Sequence, residues 1–419
     1  MRWAGLIGAG TCVSLTSLVV LPVALAGTKP TPKPKPTAKP TKTVTAKVTV
    51  TAPPPKTKAP PCQLQQAGLP SSQIKGPPWA QRRLGFTDVW PLTRGSGVIV
   101  AVVDSGVDAS HQQLQGRVSL TLDVTGTDSK DCLGHGTMAA GIIAGQDLRA
   151  DRVPFLGVAP GARLISVKMA VSDGSNNPRW VADAIRLAAE KGAKVINVSS
   201  RSPDSGRLRS AVAYAQSQDA LIVASAGNVD NQQPGTQDPA YPANYPGVVS
   251  VGAVGDDGKL QDFSSKVTNV SVVAPGKDII STWADGNYYS DSGTSFSAPY
   301  VSGVAALVRS YHPRLTYRQV AHRIEVTADG GTGVGTGSGM VDPLQAVTAV
   351  LPEENGTHIA PIALRRVVIA RPPAGDSFAR TVAFSIAGGA LAVAGALAAG
   401  GVIVPAARRR NWRPGRRVS

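Results

Sequence analysis

The hydrophobic positions of this chain are concentrated between residues 77 and 350, where short apolar runs alternate with longer segments of helical periodicity. Residues 98–103 are apolar throughout, which is typical of a strand covered on both faces of a sheet. Residues 180–191 repeat their apolar positions at helical spacing instead. Further strands are predicted at residues 164–169, 193–198, 221–225 and 248–254, and further helices at residues 206–216, 317–326 and 343–350. This alternation predicts an α/β fold with a mostly parallel central sheet and helices on both faces.

The most apolar helix is predicted around residues 300–308, which are hydrophobic on nearly every face. Pro299 is expected in its first turn, where the missing N–H is not needed. Ser295 is therefore predicted at the helix amino terminus, where free N–H groups and the helix dipole favour developing negative charge. A serine at such a position is more often a simple cap, so its role depends on the rest of the chain.

The net charge of +16 over 419 residues first indicates a nucleic-acid-binding protein. Its distribution argues against that class. Residues 27–61 hold eight lysines and residues 408–417 hold six arginines, with no acidic residue in either segment. The region between them is close to neutral, so we expect no nucleic-acid partner.

The first 61 residues are predicted to lie outside the folded domain. Residues 1–26 resemble a secretory signal peptide cleaved after Ala26, and the alternative is an uncleaved anchor. Residues 27–61 are rich in Pro, Lys and Thr and predict an extended linker. Its lysines either contact acidic cell-wall polymer or belong to a solvated spacer without a partner.

The carboxyl-terminal part predicts a membrane anchor. Residues 382–404 carry no charge and, as a helix, would be ~35 Å long, enough to cross a hydrocarbon core of ~30 Å. Residues 351–381 form a second predicted linker. The basic segment 405–419 predicts a cytoplasmic tail, which places the α/β domain outside the cell membrane on a single-pass anchor. A buried helix of a soluble domain is the alternative.

The chain has three cysteines, Cys12, Cys62 and Cys132. Removal of the signal peptide would leave two of them in an oxidising compartment. The simplest expectation is a disulfide between Cys62 and Cys132, which in the chain-entropy model is worth up to ~4 kcal/mol.

Four polar residues lie at the ends or beginnings of predicted elements. Asp104 follows strand 98–103, His135 opens an apolar helix and Asn228 follows strand 221–225; Ser295 is the fourth. Individually these are common as loop, turn or cap residues. Together they match a serine nucleophile, a histidine base, a carboxylate that orients the histidine, and an amide that stabilises an oxyanion.

Three motifs carry a resemblance to subtilisin-like serine proteases: VVDSGV at residues 102–107, GHGT at 134–137 and GTSFSAP at 293–299. The resemblance covers about residues 77–350. It implies a three-layer subtilisin-like fold and a serine endopeptidase of protein or peptide substrates that needs no cofactor.

A narrower resemblance is to the mycosins, membrane-anchored proteases associated with type VII secretion in actinobacteria. It rests on PWAQRRLGF at residues 78–86, DCL at 131–133, the Pro-rich start and the predicted anchor. It implies a type VII secretion membrane complex as partner and secretion-system proteins as substrates. It also implies that residues 62–76 form an extension wrapped on the protease domain of residues 77–350, held near the active site by the disulfide.

Two departures from the subtilisin pattern affect binding. Ser199, Ser200 and Arg201 are the predicted substrate-binding residues after strand 193–198, but Arg201 replaces a glycine, which puts the specificity pocket in doubt. Gln113 stands near the position of a calcium-binding aspartate and is a weaker ligand, so no metal site is predicted.

Two other functions are compatible with the same residues. The chain could be mainly a structural subunit that stabilises a secretion pore, with dispensable proteolysis. It could also hydrolyse cell-wall esters or amides, although strand 195–199 is better suited to pairing with an extended peptide.

Overall fold

The computed structural model describes residues 64–172, 177–229, 238–331, 333–355 and 377–409. Its strands are β1 Ile99–Asp104, β2 Val118–Asp123, β3 Arg163–Lys168, β4 Val195–Val198, β5 Leu221–Ser225, β6 Val249–Val254, β7 Val272–Pro275, β8 Ile279–Thr282, β9 Tyr288–Asp291, β10 Asp329–Gly330 and β11 Gly339–Met340. Its α-helices are α1 Trp79–Leu84, α2 His135–Ala144, α3 Pro178–Glu190, α4 Gly206–Ser217, α5 Thr294–Tyr311, α6 Tyr317–Val326, α7 Pro343–Thr348 and α8 Ser377–Arg409. Short 3-10 helices occupy Ser71–Gln73, Phe86–Val89, Arg149–Asp151 and Pro352–Asn355.

Nine strands form one sheet in the order β10-β11-β7-β6-β5-β4-β1-β3-β2. All neighbouring pairs are parallel except β10 with β11. The remaining two strands, β8 and β9, form an antiparallel hairpin. The predicted mostly parallel α/β sheet is therefore confirmed.

The sheet separates two hydrophobic layers, because successive strand residues point to opposite faces. In β1, Val100 and Val102 belong to the core shared with α2, α5 and α6. Ala101 and Val103 belong to the core shared with α3 and α4. Coverage on both faces explains why the central strands are apolar at nearly every position.

Helix α5 packs against β4, β5, β6 and β7 and is buried along most of its length. It begins at Thr294, so the expectation that Pro299 lies in the first turn was wrong. Pro299 is the sixth helical residue. Because proline has no N–H, it cannot donate to the carbonyl of Ser295 four residues earlier.

The sequence pattern missed several elements with little apolar regularity. Strand β2 is partly exposed and contains Ser119, Thr121 and Asp123, so it has no continuous apolar run. The short strands β7, β8 and β9 were also not predicted. The predicted helices and strands within the described domain differ from the structure only at their ends, as in α7, which stops at Thr348.

The segment that precedes α1 is attached to the β8–β9 hairpin. Leu69 pairs with Tyr288 through two backbone hydrogen bonds of 2.6 and 2.9 Å. The Trp283 indole donates to the Gln66 carbonyl at 2.9 Å, and the Gly68 N–H donates to Asp285 Oδ2 at 2.7 Å. The extension is therefore joined to the hairpin by an isolated antiparallel bridge and two further hydrogen bonds.

Helix α8 has a long apolar stretch, and Thr381–Arg409 is long and hydrophobic enough to cross a membrane. Its large apolar side chains from Val382 to Val404 are exposed. The predicted signal peptide 1–26, the linker 27–61, Cys62, most of the linker 351–381 and the tail after residue 409 lie outside the described residues.

Candidate active site

All seven residues predicted for catalysis and substrate binding line one cleft of about 210 Å³. The predicted residues that line it are Asp104, His135, Ser199, Ser200, Arg201, Asn228 and Ser295. Parallel strands bring their carboxyl ends to one edge of the sheet, which is why residues far apart in the chain meet there.

Asp104 ends β1 and is only 3% exposed. Its Oδ1 lies 2.8 Å from Nδ1 of His135 and accepts the Ser105 N–H at 2.7 Å. An ionised carboxylate only accepts, so Nδ1 carries the proton and Nε2 is the basic nitrogen. The His135 side chain remains 26% exposed and lines the cleft.

Opposing influences act on the pKa of His135. Burial is the largest and lowers it, but the charge and hydrogen bond of Asp104, helped by Asp131 and Asp291, raise it to about 9. The site therefore stabilises the imidazolium that forms when the histidine accepts a proton.

Asp131, just before His135, is a positioning residue whose role could not be derived from the sequence pattern. Its Oδ1 accepts from the Ser105 hydroxyl and from the N–H groups of Leu133 and Gly134 at 2.8–3.1 Å. Its Oδ2 accepts from the N–H and the hydroxyl of Thr137 at 2.8 and 2.6 Å. Burial raises the pKa of Asp131, and these donors partly offset that effect. Asp131 thereby ties the turn at Gly134 to the first turn of α2.

The side-chain amide of Asn228 is oriented by Thr294. Asn228 Oδ1 accepts from the Thr294 N–H at 3.0 Å and from its hydroxyl at 2.9 Å. The amide nitrogen is left to donate elsewhere. A Cβ placed on Gly293 would lie 3.1 Å from Asn228 Nδ2 and 3.0 Å from Ser295 Oγ, so the two groups converge beside this glycine.

The predicted binding residues follow β4. Ser199 is buried, and its hydroxyl accepts from Asn197 at 2.8 Å. The Arg201 stem passes close to Gly227, where an added Cβ would lie 3.6 Å from Arg201 Cδ. Arg201 therefore forms part of the wall next to Asn228.

Gln113 is used as a structural residue. Its amide nitrogen donates to the carbonyls of Gln146 and Phe155 at 2.7 and 2.8 Å, and its Oε1 accepts from the Tyr288 hydroxyl at 2.8 Å. Within the described ranges, no group of three His, Cys, Asp or Glu side chains could hold a metal ion.

The pattern that defines the subtilase family matches residues 95–346. Subtilisin E of Bacillus subtilis is 39% identical over 259 residues, which are 61% of this chain and 65% of that protein. Mycosin-1 of Mycobacterium tuberculosis is 34% identical over 355 residues, which cover 71% of this chain and 79% of that protein. The chain thus spans slightly less than two thirds of subtilisin E and most of mycosin-1.

Two solved structures are also similar to this chain. The crystal structure of MycP1 with its amino-terminal propeptide removed matches 66% of this chain and 98% of its own, with 34% identity and a TM-score of 0.59. The MycP3 protease from the type VII (ESX-3) secretion system matches 72% of this chain and 98% of its own, with 34% identity and a TM-score of 0.56.

Proposed function

Because this chain belongs to the subtilase family and is of the mycosin type, we propose that it is a membrane-anchored serine endopeptidase that acts on proteins of a type VII secretion system. The observation that carries the catalytic part is the convergence of Asp104, His135, Asn228 and Ser295 in one cleft. The secretion-system part rests on the similarity to mycosin-1 and MycP3.

In the proposed reaction, Ser295 Oγ attacks the carbonyl carbon of a peptide bond while His135 Nε2 accepts its proton. Asp104 keeps Nδ1 protonated and stabilises the imidazolium. Asn228 Nδ2 and the Ser295 N–H donate to the oxyanion of the tetrahedral intermediate. His135 then protonates the leaving amine, which leaves the acyl group on Ser295. Water attacks that acyl carbon while His135 accepts its proton, and His135 returns the proton to Ser295 Oγ as the carboxylic acid leaves.

The proposed location is the outer face of the cell membrane. Helix α8 would cross the membrane once, with the arginines that follow it on the cytoplasmic side. This orientation places the cleft where exported proteins pass.

We also propose that the Cys62–Cys132 disulfide holds the amino-terminal extension beside the active site. Gln65 and Gln66, three and four residues after Cys62, line a pocket together with Leu133, the residue that follows Cys132. A non-reducing gel after protease cleavage between the two cysteines would test the link: the fragments stay joined until thiol is added.

A serine-directed fluorophosphonate tests the proposed activity on the full-length protein in detergent. The wild type is expected to take up the label, and Ser295→Ala is expected to lose it. Ser290→Ala changes an exposed serine on β9 and serves as the matched control. A folded wild type that takes up no label, or Ser295→Ala that labels equally, would contradict the proposal.

A further inference from the structure

His135 borders a second pocket in addition to the catalytic cleft. This pocket has a volume of about 150 Å³. Its other described walls are Gln65, Gln66, Leu133, Trp283, Tyr289 and Asp291. It therefore adjoins the active site through the catalytic base itself.

The position of His135 decides which part of a substrate reaches this pocket. Ser295 and Asn228, which would hold the carbonyl carbon and its oxygen, line the first cleft and are absent from the described walls of the second. His135 must deliver a proton to the leaving amine. The chain that continues from that amine therefore passes His135 toward the second pocket.

The walls of this pocket have the chemistry of a site for a cation. Tyr289 and Asp291 lie two residues apart on β9 and so share one face of the strand. The Tyr289 ring stacks on Trp283 with centroids 4.5 Å apart, and the Asp291 carboxylate is exposed, with Oδ1 accepting the Ser292 N–H. The other described walls are uncharged side chains and His135, which is neutral when it acts as the base. A carboxylate beside aromatic rings attracts an ammonium or guanidinium group.

The amino-terminal extension builds the remaining wall and is held in place by specific bonds. The Trp283 indole donates to the Gln66 carbonyl at 2.9 Å, and the pairing of Leu69 with Tyr288 fixes the chain alongside β9. Trp283 in turn lies directly over Gly134, where an added Cβ would be 2.3 Å from its ring. The extension, the aromatic pair and the turn before His135 are thus packed into one unit.

We propose that this pocket selects substrates with a lysine or arginine on the amine side of the scissile bond, one or two residues after it. Asp291 supplies the charge, Tyr289 the aromatic surface, and Gln65 and Gln66 the wall contributed by the extension. This inference rests on the proposed endopeptidase function and adds the class of substrate.

The test uses the full-length protein in detergent and a set of internally quenched peptides. The peptides carry Lys, Arg, Gln or Glu at the first or second position after the scissile bond, which mass spectrometry identifies. An exposed ion pair supported by an aromatic ring is expected to raise kcat/KM for Lys or Arg about threefold to tenfold over Gln at one of the two positions. The ratio is expected to fall to about one in Asp291→Asn and to favour Glu in Asp291→Lys. Asp257→Asn, an exposed aspartate that lines neither pocket, is expected to keep the wild-type ratio.

The outcomes separate this inference from the proposed function. Wild-type protein that labels with fluorophosphonate but cleaves Lys, Gln and Glu peptides equally would overturn the inference alone. A preference for Lys that persists in Asp291→Asn would do the same. A folded protein that neither labels nor cleaves any peptide would overturn both.

Discussion

At the scale of single residues, the site depends on side chains that hold the reacting groups in one orientation. Asp104 fixes the tautomer of His135, and Thr294 fixes the amide of Asn228 by occupying its oxygen with two donors. Asp104 thereby determines which imidazole nitrogen carries the proton, and the two donors of Thr294 determine which way the Asn228 amide points.

Removing the proposed oxyanion donor, the side-chain amide of Asn228, tests this arrangement. Asn228→Ala is expected to lower kcat about a hundredfold to a thousandfold with little change in KM, because the donor acts mainly in the transition state. Steady-state kinetics on a peptide ester would measure it. Thr294→Val keeps the backbone donor to Asn228 and loses the hydroxyl, so a smaller fall is expected. Unchanged kcat in Asn228→Ala would exclude this role.

The pH dependence follows from the raised pKa of His135. The histidine acts as a base only when neutral, so kcat/KM is expected to rise with pH as the proton leaves. Because Asp104 raises the pKa to about 9, the midpoint should lie above the ordinary value of 6.5. Asp104→Asn is expected to shift the midpoint to lower pH and to reduce the rate. A wild-type midpoint at or below 6.5 would contradict the prediction.

At the scale of elements, the geometry of the candidate site depends on how the end of β1 is joined to the start of α2. The buried carboxylate of Asp131 connects the loop after β1, through Ser105, with the first turn of α2, through Thr137. The position between them requires a glycine. Gly134 has a φ of 79°, in the left-handed region, and the Trp283 ring leaves no room for a Cβ. The orientation of the His135 imidazole therefore depends on the packing of the residues around it.

Asp131→Ala tests the connection. Its loss leaves several buried donors without an acceptor, which is expected to cost about 3 kcal/mol and to lower Tm by about 5–10 °C. Differential scanning fluorimetry would measure the shift. Asp257→Ala removes an exposed carboxylate and is expected to change Tm by about 1 °C or less. Equal melting of Asp131→Ala and wild type would show that the network carries little of the stability.

At the scale of the whole molecule, a protease domain and an apolar helix occur in one chain. The exposed apolar side chains of α8 include Phe384, Ile386 and Leu391. Exposed apolar side chains over this length are stable only in a lipid or protein environment. The chain therefore combines a subtilase domain with a helix that is long and apolar enough to span a membrane.

Deleting residues 382–404 is expected to release the protein from membranes. The full-length chain should stay in the pellet after carbonate extraction, and the deletion should move to the supernatant while still labelling with fluorophosphonate. Ser295→Ala should stay in the pellet. Full retention of the deletion variant would contradict anchoring by α8.

The same two variants distinguish a catalytic from a structural role in secretion. If proteolysis is the main contribution, Ser295→Ala should impair substrate processing while the secretion complex assembles normally. If the chain is mainly structural, only the deletion of residues 382–404 should lower the yield of the complex. Native gels of the membrane fraction would report the yield.

Much of the fold was available from the sequence because burial imposes local periodicity. Runs such as residues 98–103 and 221–225 are apolar because both faces of the sheet are covered, and α6 was predicted with its observed bounds. The candidate catalytic residues were accessible for a similar reason, since each lies at the end or beginning of such an element. Both the apolar pattern of an element and the polar residue at its end are local features, so they can be read without knowing which elements pack together.

Only the tertiary structure decided which distant groups meet. The bonds from Thr294 to Asn228, from Trp283 to Gln66 and from Thr137 to Asp131 join residues whose pairing leaves no periodic pattern. The hairpin β8–β9 escaped prediction because its strands are short and partly polar, and so did the pairing of Leu69 in the predicted extension with Tyr288. Sequence alone thus determined the elements and the type of chemistry, through local burial and residue class. The orientation of the reacting groups and the pocket beside His135 depend on packing between elements distant in the chain.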